Sequence, residues 1–289
     1  METSWGLEVG DEIAPGRSVV REIGGGRRFE VMLVWDERLF ALTVAKVLRP
    51  RYAESDRALR ELAEEADALE RLRHPVIVRG FDAVLDGRFP HVLIEHLEGP
   101  SLRSLIKRHG ALPLEQVLPL CAHVAAALHY MAGMGMLHLD VKPENVIMGV
   151  PPRLIDLSIA TRVEDAPDIR GPLGTDAYMP PEQCDPAAHV SEIGPASDVW
   201  GLGATLYHAV AGAVPFPRDE EGERFPQLSQ PPRPLPADVP ASLRGLIAAM
   251  LAPAPADRPA ASEVALALEP LVAELPRKLL FGRFGTRAR

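Results

Sequence analysis

The chain has 289 residues, 47% of them hydrophobic and 25% charged, a composition that excludes disorder and is long enough for one large domain or two small ones. A formal net charge of -9 excludes a protein built to coat nucleic acid, and two cysteines, Cys121 and Cys184, exclude a disulfide framework. No apolar run reaches about 18 residues and no charged-then-apolar leader opens the chain, so the sequence predicts a cytoplasmic protein.

The first hundred residues predict strands with one helix. Val19 to Ile23, Glu30 to Trp35 and Leu39 to Leu48 are β-type runs, broken by Gly24-Gly25-Gly26 and Asp36-Glu37-Arg38. An amphipathic helix over about Glu54 to Arg73 follows, ended by His74-Pro75. Val76 to Leu85 and His91 to His96 predict two further strands joined at the turn Asp86-Gly87. After Gly99-Pro100 the pattern turns helical, at Ser101 to Arg108, Leu114 to Met134, Ser197 to Gly212, Ser242 to Leu251 and Ala261 to Glu274. The organisation is α+β: a strand-rich part over 1–97, a helical part over 98–275, and a basic tail over 276–289. The tail carries Arg277, Lys278, Arg283, Arg287 and Arg289; it predicts a solvated terminus, with contact to a membrane surface or an acidic partner as the alternative. The crevice between two such parts is a natural ligand site.

Two charges sit in awkward places. Steps of 4, 3, 4 and 3 link Ala58, Leu62, Glu65, Leu69 and Leu72, which puts Glu65 on the apolar stripe and Glu61 and Glu64 off it. Lys46 interrupts the apolar run Leu42 to Leu48. An inward carboxylate needs a cation, and a Lys46–Glu65 pair satisfies both; the alternative is that each snorkels to solvent. Lysine occurs only at Lys46, Lys107, Lys142 and Lys278 in an arginine-rich chain, which marks each as a candidate for a role a flat guanidinium does not fill.

In His138-Leu139-Asp140-Val141-Lys142-Pro143-Glu144-Asn145, an acid, a compact cation and an amide stand two and three residues apart. Asp140 can accept a hydroxyl proton, Lys142 can neutralise phosphoryl charge, and Asn145 can hold a metal ion. Arg153-Leu154-Ile155-Asp156 is a short apolar strand ending in a hard-metal ligand. The histidines do not cluster like metal ligands, Met131, Met134 and Met136 read as core filler, and both cysteines read as buried, with an exposed, oxidisable Cys184 as the alternative.

These segments resemble the signature set of the bacterial eukaryotic-like (Hanks-type) serine/threonine protein kinase family, over about Gly16 to Leu275. Thr43-Val44-Ala45-Lys46 is similar to its phosphate-lysine strand, Glu65-Ala66 with Leu72 to Pro75 to its regulatory helix, and Ile94 to Gly99 to its hinge. Gly174 to Gln183 resembles the end of the activation segment, Ser197 to Gly203 the buried helix under the catalytic loop, and Asp257-Arg258-Pro259 the segment whose arginine pairs with Glu182. Any one alone is weak; together and in order they are specific.

The resemblance implies a bilobal fold, ATP and magnesium as cofactors, and phosphoryl transfer to serine or threonine of protein substrates. It implies that Lys46, held by Glu65, contacts the α- and β-phosphates, that Asp140 is the catalytic base, that Lys142 binds the γ-phosphate, and that Asn145 and Asp156 bind the metal. It places adenine between Ile23, Val31 and Val44 on one side and Ile147 on the other, read by the backbone of Glu95 and Leu97, with Ile94 as gatekeeper. Gly24, Gly25 and Gly26 would cradle phosphates. Thr175 favours the serine/threonine class over the tyrosine class. The basic tail resembles the stub before a membrane anchor.

Three departures stand out. Phe29 takes the place of the third motif glycine, Leu139 that of an arginine which normally meets an activation-segment phosphate, and Asp156-Leu157-Ser158 that of Asp-Phe-Gly. They motivate a kinase working without activation-loop phosphorylation, and an alternative: a pseudokinase, a nucleotide-binding regulatory or scaffold module. A small-molecule kinase on the same fold is the third reading.

Overall fold

A computed structural model describes residues 4–188, 192–218 and 222–275, and the basic tail lies outside them. The chain forms two compact units: Met1–Gly99 with Arg153–Ala160, and Pro100–Pro152 with Thr161–Arg289.

The first unit is built on six strands: β1 (Glu12–Ala14), β2 (Arg17–Gly25), β3 (Phe29–Asp36), β4 (Ala41–Leu48), β5 (Gly80–Val84) and β6 (His91–Glu95). They form one antiparallel sheet in the order β1-β2-β3-β4-β6-β5. Side chains alternate between its faces. Met32 and Val34 of β3, Ala45 and Val47 of β4 and Leu93 of β6 join Ile13 and Val19 in the core of one face. The other face receives Val31, Val44 and Lys46, because Val31 lies opposite Lys46 and Val44 lies opposite Ile94. In a flat sheet β2 and β5 would stand about 19 Å apart. Here Arg17 of β2 pairs with Asp82 of β5, and its Nη1 lies 3.2 Å from Nε2 of His91 in β6. The sheet is therefore curled, and a largely buried polar network that includes Asp36, 2.8 Å from Arg17 Nε, ties β2 and β3 to β5 and β6.

Between β4 and β5 run α1 (Pro50–Ala53) and α2 (Asp56–Arg71). The Ser55 hydroxyl caps α2 by accepting from the Ala58 N–H at 3.4 Å. Its buried stripe is Ala58, Leu62, Glu65, Ala68 and Leu69, so Glu65 does face inward. Gly80 lets β5 approach this helix: a Cβ there would lie 2.7 Å from Leu69 Cβ.

One expectation for this region is corrected. The predicted strand over Val76 to Leu85 forms sheet pairs only from Gly80, because residues 76–78 spend their backbone groups elsewhere. Leu154 donates to the Val76 carbonyl (2.6 Å) and the Val78 N–H donates to the Leu154 carbonyl (3.0 Å). β5 and β6 do pair antiparallel, and the connection that contains Asp86-Gly87 runs over 85–90, closed by Pro90, which has no N–H to offer a ladder.

The second unit contains α3 (Leu102–His109), α4 (Leu114–Gly133), α5 (Pro181–Cys184), α6 (Pro195–Ala211), α7 (Ala241–Met250) and α8 (Ala261–Ala273). α6 is apolar nearly all round and buried from Ser197 to Val210, as such a helix must be, with α4 and α7 packed against it. No helix among the described residues is long and apolar enough to cross a membrane. Below α6, Arg258 forks onto Glu182 at 2.6 and 2.9 Å, and both side chains are fully buried. The pair is fully partnered: Glu182 also accepts from Ser197 at 2.7 Å, and Arg258 donates to the carbonyls of Ala196, Ala252 and Pro253 while its guanidinium covers Trp200. Cys121 and Cys184 are both buried, and burial pushes each thiol up to about 12.

Candidate active site

Each unit assembles its own group of charged side chains. In the first unit, all three ammonium protons of Lys46 find carboxylate oxygens: Glu65 Oε1 at 2.8 Å, Glu65 Oε2 at 3.0 Å and Asp156 Oδ1 at 2.7 Å. Strand β4 aims Lys46 at this face because it stands two residues from Val44 and alternates with the core residues Ala45 and Val47, and α2 aims Glu65 because it shares the stripe of Leu62 and Leu69. Burial pulls the Lys46 ammonium down, but Glu65 and then Asp156 outweigh it, so the net direction is up and the group stays charged. Burial pushes Glu65 up, and Lys46 offsets only part of that. The Leu157 N–H gives Glu65 a further bond, and the Leu157 side chain is itself buried. Asp156 holds a left-handed backbone with φ 68°, a conformation aspartate tolerates better than most residues.

Val31, Val44 and Ile94 share the sheet face of Lys46, whereas Ile23 lies further along β2 and is exposed. Gly24 and Gly25 end β2, paired with Val31 and Glu30, and the Gly26 N–H donates to the Phe29 carbonyl at 2.9 Å. The Gly26 amide is thus committed to the hairpin. At the end of β6, the Glu95 N–H donates to the Arg79 carbonyl at 3.0 Å, and its carboxylate receives the Arg79 N–H at 2.9 Å and Arg153 at 3.4 Å. Leu97 follows, half-buried, outside the strand.

In the second unit the acid Asp140 is the centre of a closed triangle. Its Oδ2 accepts from Lys142 Nζ at 2.6 Å and its Oδ1 accepts from Thr175 Oγ1 at 2.7 Å, while Lys142 also reaches Thr175 at 2.6 Å. Asn145 donates its amide protons to the carbonyl and Oδ2 of Asp140, at 2.9 and 3.2 Å. Ile147 stands in a two-residue strand, bridged to Ser101.

Sequence reasoning named Leu139 as a departure and placed Gly174, Gln183 and Asp198 inside motifs, but not the contacts by which they hold this loop in shape. Leu139, immediately before Asp140, is buried with φ 60°, which costs a leucine about 1–2 kcal/mol. Asp198, at the start of α6, accepts the N–H groups of His138 and Leu139 at 2.8 and 2.7 Å. Gln183 donates to the Leu139 carbonyl at 2.9 Å. Gly174 completes the fit: with φ 125°, its missing Cβ would fall 2.9 Å from that same carbonyl. A second chain of contacts, also unforeseen, links the Thr175 segment to α6: Tyr178 hydroxyl to His208 Nδ1 at 2.7 Å, His208 Nε2 to Arg103 at 3.3 Å, and Arg103 to Glu144 at 3.2 Å. The signal available in the sequence was a histidine inside an otherwise apolar helix.

The donor chemistry suits a hard cation. Lys46 faces two carboxylates, the buried Glu65 and the partly exposed Asp156, and both are hard oxygen donors. Asn145 offers an amide oxygen once its nitrogen is spent on Asp140. Among the described residues no group of three or more His, Cys, Asp or Glu side chains forms a self-contained metal site.

The sequence matches the protein kinase domain family over residues 17–267. It is 33% identical over 263 residues to the probable serine/threonine-protein kinase PkwA of Thermomonospora curvata, covering 89% of this chain and 34% of that one. It is 32% identical over 248 residues to serine/threonine-protein kinase PknA of Mycobacterium tuberculosis, covering 82% and 57%, and 34% identical over 242 residues to PkaA of Streptomyces coelicolor, covering 80% and 43%. The chain spans between about a third and three-fifths of the length of these relatives. With a family match across most of its length and a curled-sheet unit and a helical unit of the expected kinds, the chain belongs to the protein kinase family, in its bacterial Hanks-type serine/threonine branch.

Proposed function

We propose that the chain transfers the γ-phosphoryl group of ATP to serine or threonine hydroxyls of protein substrates. The observation that carries the reading is the triangle of Asp140, Lys142 and Thr175, in which a carboxylate and an ammonium share one hydroxyl at 2.6–2.7 Å. An acceptor hydroxyl from a substrate has the same chemistry as the Thr175 hydroxyl. Asp140 orients it and takes its proton as the new P–O bond forms and the β–γ bridging bond breaks, and ADP leaves. Lys142 faces the phosphoryl oxygens, whose charge spreads in the transition state. Lys46 binds the α- and β-phosphates while Glu65 holds it in place. Val31, Val44 and Ile94 offer an apolar face to adenine, joined by Ile23 and Ile147. Because the Glu95 N–H is taken by Arg79, the base edge falls to the Glu95 carbonyl and to Leu97.

Asp156 and Asn145 are the residues that would hold magnesium, which when bound neutralises charge on the β- and γ-phosphates. We further propose that activity does not depend on activation-loop phosphorylation. Leu139 stands, buried and uncharged, where a phosphate partner would be needed, so a phosphate on the segment has no cation there to order against. The test is transfer of radiolabelled phosphate from ATP to the protein itself and to a generic basic protein, with Asp140→Asn as control. Signal from the wild type and none from the variant supports transfer. Equal background from both, alongside measurable nucleotide binding, would leave only a binding module.

A further inference from the structure

Resting on the proposed ATP-binding role of Lys46, we propose that Phe29 is an aromatic cap on the Lys46 ammonium, which the phosphates of a nucleotide must displace in order to bind. The Phe29 ring centroid lies 4.5 Å from Lys46 Nζ. The three protons of that ammonium already point at oxygens of Glu65 and Asp156, so the ring covers a cation whose hydrogen-bonding capacity is full. A phosphate oxygen bound to Nζ at about 2.8 Å has no room between nitrogen and ring. Either the ring swings away or the oxygen takes the place of a carboxylate, and the side chain that carries no charge is the cheaper one to move.

The loop is fastened in the capped position. Arg28 pairs with Glu61, one turn before Glu65 on α2. Arg49 donates its backbone N–H to the Arg28 carbonyl at 2.8 Å and its Nε–H to the Gly26 carbonyl at 2.8 Å, and Arg51 reaches the Arg27 carbonyl at 3.0 Å. Gly25 is required for this turn, since a Cβ there would lie 2.8 Å from the Phe29 carbonyl. The same helix therefore holds the lysine through Glu65 and the cap through Glu61. A nucleotide that lifts Phe29 pulls on the Arg28–Glu61 contact, so loop opening and the position of α2 are coupled. A desolvated cation–π contact is worth up to about thirtyfold in an equilibrium constant, which sets the scale of the penalty on phosphate binding.

The experiment compares wild type with Phe29→Gly and Phe29→Leu; the leucine keeps apolar bulk without the ring's negative face. The chain has four lysines, so acetylation by sulfo-NHS acetate can be followed at Lys46 by mass spectrometry, with exposed Lys107 as internal reference. Nucleotide affinity is measured in parallel by calorimetry with MgATP. The cap predicts that Lys46 reacts about tenfold faster in Phe29→Gly, with Phe29→Leu in between, and that MgATP binds about tenfold tighter in Phe29→Gly. Unchanged Lys46 reactivity in Phe29→Gly, or a MgATP affinity that is measurable in the wild type and stays level or falls in Phe29→Gly, overturns the cap. A leucine variant identical to wild type in both readouts overturns the cation–π contact in favour of bulk. If no variant binds MgATP while Lys46 is still unmasked by glycine, the cap stands and the kinase reading fails.

Discussion

Replacing Asp198 with asparagine isolates the group that shapes the loop before Asp140 without touching the loop itself. The carboxylate accepts two backbone N–H groups, from His138 at 2.8 Å and Leu139 at 2.7 Å, in a fully buried setting. Bonds of this charge-assisted kind contribute about 1.5–3 kcal/mol each. Asparagine keeps one acceptor oxygen and turns the other into an amide donor facing a donor. One N–H is then left buried without a partner, at about 1–3 kcal/mol, and the remaining bond loses its charge. Leu139 adds to the strain, because its left-handed backbone already costs about 1–2 kcal/mol and persists only while its N–H and carbonyl are both held. The expected loss is about 3–5 kcal/mol, read as the shift in urea midpoint at constant slope. Relaxation of Leu139 also moves Asp140, so phosphoryl transfer should fall by at least a hundredfold while nucleotide affinity changes little. A loss below about 1 kcal/mol with activity intact would show that Asp198 does not hold the loop.

Other expectations follow from the same geometry. Glu182→Ala leaves Arg258 charged and fully buried and should cost about 3–5 kcal/mol, whereas a paired replacement, Glu182→Met with Arg258→Leu, should cost much less; equal losses in the two would refute the argument from an unpaired charge. Thr175→Val removes the hydroxyl shared by Asp140 and Lys142 and should lower kcat about 10- to 100-fold with little change in thermal stability, a split that steady-state kinetics and melting curves resolve. Thr161→Ala should keep activity within about twofold, and phosphatase treatment likewise; loss in Thr161→Ala with recovery in Thr161→Glu would sink phosphate independence.

A pH effect is expected at His208, which is 3% exposed. Arginine only donates, so Nε2 of His208 accepts from Arg103 and Nδ1 carries the proton toward Tyr178. Burial first and Arg103 second lower its pKa to about 4, below the unfolded value near 6.5. The unfolded chain takes up the proton first as pH falls, so this contribution is complete above about pH 6.5 and is lost on the way down to about pH 4. Between pH 6.5 and 5 it amounts to about 2 kcal/mol, and His208→Gln should flatten the fall in stability over that interval; an unchanged slope would count against the assignment.

Local pattern and elementary electrostatics made much of this molecule legible. The stripe that holds Glu65 is a matter of 3.6-residue periodicity, and an inward carboxylate with a lysine in an apolar strand calls for a partner whatever the fold; the two meet at 2.8 Å. The spacing of Asp140, Lys142 and Asn145 by itself puts three chemical groups within one short loop. What one-dimensional pattern could not carry is the identity of partners far away in sequence. Nothing near Leu139 reveals that its N–H ends on Asp198, 59 residues on, or that its carbonyl belongs to Gln183. Residues 76–78 have the composition of a sheet strand, yet pair with Leu154, because backbone groups accept whichever neighbour the fold supplies. Phe29 was visible in the sequence only as a missing glycine. That its ring rests on the one lysine of β4 depends on the turn geometry of the hairpin and on the register of Val31 with Lys46, and those are set by the tertiary fold.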